Sequence, residues 1–359
     1  MTSKVISSIS LGRLSFRLNP RLVLCLGVTL VLLFIAVAWS VTQGEYSLTL
    51  GEVLTVFAGG GSTIERAVVF DLRLGRSVVA CAVGAALAYS GALTQSTARN
   101  PLASPDILGI THGAAFGGAL AIIFAGSGSG GALESGANII VQNVGLPGAA
   151  IAGALTTASV IALLARSVRG SILQVVLVGV GASIFLSSLT SWLLAWAQLD
   201  RAANARLWLT GSLNGRDWSH GWAPLVVLLI AIALAGWLSF QLSALVLGNT
   251  TAHVLGHRVG LGYLIQLLTA VVLAAVAVSA AGPIGFIAFV SPHLARGLAG
   301  TPTPPLVLSA SIGAVVLLGA DLIARVLLPW ELPVGVVTAF VGAPFLLFMI
   351  IRIRRKETV

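Results

Sequence analysis

His253 and His257 stand four residues apart in the stretch LSALVLGNTTAHVLGHRVGLG (242–262), a spacing at which two imidazoles share one helix face and can hold a metal ion. The intervening VLG supplies no glutamate, and Gly256 weakens the helix between them. The pair therefore reads as part of a loop, not as a metal centre. His112 and His293 stand apart from other ligand types and read as packing or end-of-span residues. Asp321 lies inside an apolar run, where an ionisable group costs on the order of 3 kcal/mol or more unless it is paired. A proton relay needs further carboxylates in neighbouring segments, and these are missing. Arg325 stands one helical turn away, so structural pairing is the simpler account. Ser183, Ser187, Ser188, Thr190 and Ser191 crowd hydroxyls into one apolar segment. They would either give a transport pathway a weakly binding wall, with Ser187, Ser188 and Ser191 as its candidates, or hydrogen-bond their own helix backbone. No G-x-x-x-x-G-K-[ST] run is present, so energy from ATP would have to come from another chain, and this one is expected not to be an enzyme.

The elements that carry these residues are apolar. Of 359 residues, 57% are hydrophobic and 9% charged, against roughly 25% charged in a soluble domain. Charged clusters alternate with apolar stretches of about 20 residues, the length that crosses a bilayer core. An all-α polytopic membrane protein follows, with ten spans predicted at 22–42, 73–95, 107–125, 146–166, 171–198, 222–240, 263–281, 284–297, 306–328 and 334–351. Residues 1–21 form a basic leader, 22–351 the membrane domain with a cytoplasmic loop at 242–262, and 352–359 a basic tail. The first apolar stretch is too long and uniform for a cleaved signal and lacks a small-residue cleavage site, so it reads as a retained span. Cys25 and Cys81 fall inside apolar stretches and suggest buried thiols, not a disulfide.

The sequence pI near 11.0 invites a nucleic-acid reading, which the placement of the charges removes. With the N-terminus inside, thirteen of the twenty Lys and Arg fall in inner segments, and the outer segments hold eight carboxylates (Glu45, Glu52, Glu65, Asp71, Glu134, Asp200, Asp217, Glu331). Both termini are then cytoplasmic. The eighth span is short, and AGPIGFIAF (281–289) reads as a break, which survives in a membrane only where protein or a water-filled cavity surrounds the freed backbone groups. A faint likeness between AVGAALAYSGALTQ, from Ala82, and AAVAVSAAGPIGF, from Ala274, suggests two inverted five-helix repeats. The 41 glycines serve close helix packing, as at Gly84 and Gly91 or Gly113 and Gly117. Trp192, Trp196, Trp208, Trp218 and Trp222 flank one outer loop and read mainly as an interfacial aromatic belt.

Four segments in order carry a resemblance: LRLGRSVVACAVGAALAYSGALTQSTARNPLASPDILGITHGAA (72–115), AGPIGFIAFVSPHLAR (281–296), GADLIAR (319–325) and ELPVGVVTAFVGAPFLL (331–347). Together they resemble the permease subunits of type II ATP-binding-cassette importers, the FecCD-like group that handles vitamin B12, haem and iron-siderophores. TGSLNGRDW (210–218) is most similar to the ferric-siderophore members. Gly75 stands where members usually carry proline, and Asn249, His257 and Arg258 depart from the commonest forms of the loop.

The resemblance implies a permease in the bacterial inner membrane that pairs with a second permease subunit, expected to be a paralogue. Two cytoplasmic ATPases, which use the ATP, and an extracytoplasmic siderophore-binding protein complete the assembly. It implies no cofactor bound by this chain, since the iron arrives wrapped in its chelator. Arg73, Arg76 and Arg325 match positions that accept carboxylates of the binding protein. Interfacial snorkelling, or for Arg325 pairing with Asp321, is the alternative. Leu247, Gly248, Ala252, Leu255 and Gly256 match a loop that fits a groove on the ATPase; an ordinary interfacial helix is the alternative. Importers of vitamin B12 or haem share the mechanism, and an ion-coupled secondary transporter is the rival from another class.

Overall fold

The computed structural model describes residues 8–11, 14–17, 19–44, 46, 48–124, 132–167, 172–246, 248–327 and 330–357. A short antiparallel hairpin, β1 (Ser8–Leu11) and β2 (Leu14–Arg17), lies in the segment expected only as a basic leader. Its alternation of apolar and polar residues has the strand period of two, and the register pairs Ile9 with Phe16 and Leu11 with Leu14. The rest of the described regular structure is helical: α1 (Pro20–Thr42), α2 (Leu50–Phe57), α3 (Thr63–Arg66), a π-helical stretch Ala67–Leu74, α4 (Gly75–Thr97), α5 (Ile110–Phe124), α6 (Ala132–Ser167), α7 (Ile172–Trp196), α8 (Leu199–Leu209), α9 (Trp218–Ala233), α10 (Ala235–Val246), α11 (Asn249–Val254), α12 (Val259–Ala281), α13 (Ile287–Ala299), α14 (Leu306–Val326) and α15 (Val334–Glu357).

Every predicted span falls on a helix, yet their lengths differ. Among the described residues six helices are long and apolar enough to cross a membrane, and the pair α9–α10 makes a seventh. That pair corrects the expectation of a continuous span at 222–240, because the chain turns by 60° between Ala233 and Ala235. α5 has 15 residues and α13 only 13. At 1.5 Å per residue the latter spans about 20 Å, short of the ~30 Å of a bilayer core. Short helices α2, α3 and α8, absent from the sequence reading, fill the connections. α2 and α3 each start on a capping box, Thr49 with Glu52 and Ser62 with Glu65, which satisfies two otherwise orphaned N–H groups apiece.

α4 is the axis of the bundle: 89% of the apolar window of its helix is buried, against 6% in α1, which therefore faces outward. Small residues make this possible. Gly84 of α4 and Gly313 of α14 each sit against the other's carbonyl oxygen, where a Cβ on either would collide, and Gly91 lies directly on the Ala288 carbonyl of α13. Gly113 and Gly117 of α5 meet Gly153 and Ala149 of α6 in the same way. Without a hydrophobic drive between helices in lipid, such backbone approaches supply the packing. The core runs from Val79, Leu87 and Leu93 through Leu238 and Leu273 to Leu317.

Candidate translocation cavity and its two ends

Gly282 (φ 76°) ends α12 by letting the chain turn left-handed, and Pro283, which cannot donate, follows it. Helix resumes only at Ile287. Phe286, at φ 69°, holds a left-handed conformation rare for a bulky residue. Its ring packs on Gly342 of α15, where a side chain would clash. This break forms one wall of a cavity of about 590 Å³, through Ile284, Phe286 and Phe289. Facing it are polar side chains from three other places in the chain. Ser104 and Asp106 come from the segment between α4 and α5, Thr111 and His112 from the start of α5, and Ser187, Thr190 and Ser191 from α7. Low-polarity surroundings push the Asp106 carboxyl up from its ordinary value. Thr111, only 4% exposed, and His112 stand beside this carboxyl, the former within hydrogen-bonding reach of it.

Of the three serines expected on a pathway, Ser187 and Ser191 reach the cavity and Ser188 does not. Ser188 Oγ donates to Ile184 O at 2.9 Å and Ser191 Oγ to Ser187 O at 3.0 Å, so hydroxyls on this helix also bond their own backbone. His112, read from sequence as packing, belongs to the cavity wall. The signal that could have found it is its place in the long segment 72–115, next to the polar run NPLASPD.

At one end of the bundle the arginines expected to dock a partner are engaged within the chain. Asp321 is fully buried. Arg76 Nη2 lies 2.8 Å from its Oδ1, and Arg325 Nη2 lies 3.0 Å from its Oδ2. Arg76 Nη1 also reaches Glu331 Oε1 at 3.2 Å, and Arg325 Nη2 donates to Ser40 Oγ at 2.7 Å. Arg73, 6% exposed, donates to the carbonyls of Val41 at 2.9 Å, Thr42 at 3.2 Å and Tyr46. The predicted Asp321–Arg325 pair is present; Arg76 and Glu331 were not foreseen as its neighbours. Arg73 issues from the π-helical stretch, in which the Phe70 carbonyl accepts from Trp218 Nε1 at 2.8 Å. Gly75 leaves the room that the Trp218 indole occupies. Trp218 and Trp208 therefore differ from a simple aromatic belt: Trp208 is 8% exposed and packs on Gly118, whereas Trp192, Trp196 and Trp222 are exposed.

At the opposite end Gly248 (φ 100°) and Gly256 (φ 84°) bracket α11, one short helix between two glycine turns. Leu247 lies outside the described residues. Ala252 is buried against Ala244 and Leu245, with Val259 and Tyr263 alongside. Val254 and Leu255 are 83% and 58% exposed. His257 Nδ1 lies 2.9 Å from Gln241 Oε1, and its ring lies 5.0 Å from that of Phe240, tilted by 43°.

A family model of the FecCD transport family matches residues 32–352. The chain belongs to the FecCD transport family. It is 35% identical over 324 residues to the ferric enterobactin transport system permease protein FepG of Escherichia coli, covering 90% of this chain and 94% of that one. It is 38% identical over 332 residues to FepD of the same transport system, covering 91% and 94%. The Fe(3+) dicitrate transport system permease protein FecD of the same organism is 38% identical over 289 residues, covering 80% and 86%. In structure the chain is similar to an inward-facing conformation of a metal-chelate type ABC transporter, with a TM-score of 0.76 and 30% identity, over 91% of this chain and 98% of that one. This FecCD-family member is thus a multi-pass membrane protein built as a transport permease, and its relatives carry names of permeases, not enzymes.

Proposed function

We propose that this chain is the permease subunit of an ATP-driven importer that carries iron-siderophore chelates into the cytoplasm. The observation that carries the reading is the end-to-end similarity to two ferric enterobactin permeases, FepG and FepD. The cavity supports it: apolar aromatic groups face hydroxyl, carboxyl and imidazole groups, a surface on which a bulky chelate can be held loosely and released. The α11 end lies in the cytoplasm with both termini, and the arginine end faces outward, following the bias of positive charge. Gly248, Ala252, Leu255 and Gly256 form the loop that receives the ATPase, for which the exposed Val254 and Leu255 supply apolar contact.

Within this cluster the three guanidiniums of Arg73, Arg76 and Arg325 outnumber the two carboxylates of Asp321 and Glu331. A carboxylate of an extracytoplasmic binding protein docks there by joining the network at its exposed side, near Glu331. Two ATPase subunits supply the ATP chemistry, this chain binds no cofactor, and a second permease completes the path. A paralogue as that second permease, giving a heterodimer, is the reading supported by the two permeases, FepG and FepD, named for ferric enterobactin transport. Vitamin B12 and haem are the rival cargoes. The test is uptake in a strain lacking this chain, with iron-55 as the organism's own siderophore chelate, labelled vitamin B12 and labelled haem offered in parallel. Loss of chelate uptake alone, restored with the chain, is expected; loss of one of the others would replace the cargo, and no loss would overturn the importer reading.

A further inference from the structure

Arg99 is one of two non-glycine residues with a positive φ among the described residues, at 48°. It stands where α4 ends, outside both the arginine network and the cavity lining. Its Nη2 donates to Leu245 O at 2.6 Å and lies 3.3 Å from Tyr263 Oη. Leu245 and Tyr263 are also the residues that hold Ala252 of α11. Beyond Arg99 the chain turns through Asn100, whose Oδ1 accepts from Leu102 N at 2.9 Å, and reaches Ser104, Asp106 and Ile107 on the cavity wall. Alongside, Thr97 Oγ1 donates to Gln266 Oε1 at 2.9 Å, fixing the last turn of α4 to α12. A short connected path thus leads from the exposed face of α11, through Leu245 and Tyr263, across one guanidinium, into the wall of the cavity.

We propose that Arg99 is a positioning residue that transmits movement of the α11 loop to the inner wall of the cavity. This rests on the importer reading, in which α11 is where the ATPase acts. Two features favour transmission over simple packing. Arg99 is the left-handed residue that closes α4, where Asn100 N donates to Gln95 O at 3.1 Å, so its guanidinium leaves the helix end in a fixed direction. The guanidinium also grips a main-chain carbonyl, so its hold follows the end of α10 as a backbone unit and does not depend on a side-chain rotamer. Packed side chains and hydrogen bonds carry coupling between distant places, and Arg99, with Thr97 beside it, links the end of α4 to the elements that hold α11.

The experiment uses the complete importer, purified with its ATPase and reconstituted in liposomes, in a Cys25→Ala, Cys81→Ala background carrying Leu102→Cys as a reporter on the segment beyond Arg99. The rate at which a polar methanethiosulfonate modifies the reporter is measured with and without trapped nucleotide, per assembled complex, alongside chelate taken up per ATP hydrolysed. With Arg99 present, nucleotide is expected to change the modification rate. In Arg99→Gln that response is lost and uptake per ATP falls about tenfold, a coupling loss within the usual range. Arg99→Lys, keeping the charge on a single nitrogen without the planar fork, and Tyr263→Phe, removing one partner, fall in between. An unaltered nucleotide response and uptake per ATP in Arg99→Gln would overturn the proposal. So would a variant that only lowers the amount of complex while each remaining complex responds normally, because that is a packing role. If no ATPase copurifies with the parent chain, the importer reading itself fails and Arg99 with it; copurification with a silent Arg99→Gln removes the Arg99 inference alone.

Discussion

The two ends of the bundle hold themselves together by opposite means. At the arginine end, Arg76 and Arg325 close at 2.8 and 3.0 Å on a carboxylate with no solvent exposure, and three helices, α1, α4 and α14, are locked through it. At the α11 end, glycine turns and main-chain carbonyls do the holding, and two apolar side chains, Val254 and Leu255, are left uncovered. Buried ions joined by directional bonds tolerate one arrangement, since any displacement leaves a charge unpaired at a cost of several kcal/mol. A loop hung between glycines tolerates many arrangements, and its exposed apolar residues are stabilised when another protein covers them. The first end suits a fixed shape; the second suits movement from outside, as the proposed contact with an ATPase requires.

The sharpest way to break this comparison is at Asp321. Replacing Asp321 by Ala leaves Arg325 buried without a carboxylate and Arg76 with Glu331 alone, and is expected to destabilise the folded chain by about 3–5 kcal/mol. Asp321→Asn, which keeps an acceptor, should cost less. Thermal unfolding in detergent, monitored by tryptophan fluorescence, measures both. An Asp321→Ala protein as stable as the parent would mean that the network is not what fixes this end.

At the other end the expected pattern reverses. Leu255→Asp should leave the stability of the isolated chain within about 0.5 kcal/mol, as an exposed site usually does. It should weaken association with the ATPase about tenfold, equivalent to ~1.4 kcal/mol. Copurification yield set against unfolding temperature separates the two effects. Destabilisation without loss of association would place Leu255 against this chain instead of a partner.

Glu331 sharpens the same contrast within the arginine end. It is 39% exposed, in contrast to Asp321, and an exposed ion pair contributes little, about 0–1 kcal/mol. Glu331→Gln should therefore change the unfolding temperature only slightly. Because it removes the exposed negative charge beside Arg76, it should instead strengthen binding of an acidic partner surface at low salt, measured by titrating the binding protein. Weakened binding would argue against the proposed docking site.

How much of this was legible in the sequence depended on whether the cause was local. The break after α12 was readable because Gly282 and Pro283 carry their reasons within themselves, and the Asp321–Arg325 pair follows the one-turn rule. The bend between α9 and α10 was not, since Ala233, Leu234 and Ala235 are all good helix formers and the nearby Gly236 lies inside α10. Arg76 meets Asp321 across 245 positions, a distance over which no sequence spacing argues. The cavity had the same obstacle: Asp106, His112, Ser191 and Phe286 converge only once four separate segments are folded together. Arg99 is one basic residue within the segment 72–115, and only its bond to the Leu245 carbonyl, 146 positions away, marks it as more.

The smallest expected effect is a pH response at the N-terminal end of α9. Asp217 caps this helix: its Oδ1 accepts from Ser219 N at 3.0 Å and Ser219 Oγ at 2.5 Å, and lies 2.8 Å from His220 Nδ1. The Ser219 hydroxyl first and His220 second hold its carboxyl down from the usual 3.8 to about 2. A carboxyl depressed in the folded state stabilises above its unfolded value and loses that contribution as pH falls through the folded one. The cap therefore contributes fully above about pH 4 and fades toward about pH 2. Since Asp217 is 56% exposed, solvent screens most of the benefit. Asp217→Asn keeps an acceptor for the Ser219 N–H but cannot titrate, so the difference in unfolding temperature between it and the parent should shrink as pH falls through this window. A difference that grows toward low pH would reverse the sign and show that the carboxylate strains the α9 cap.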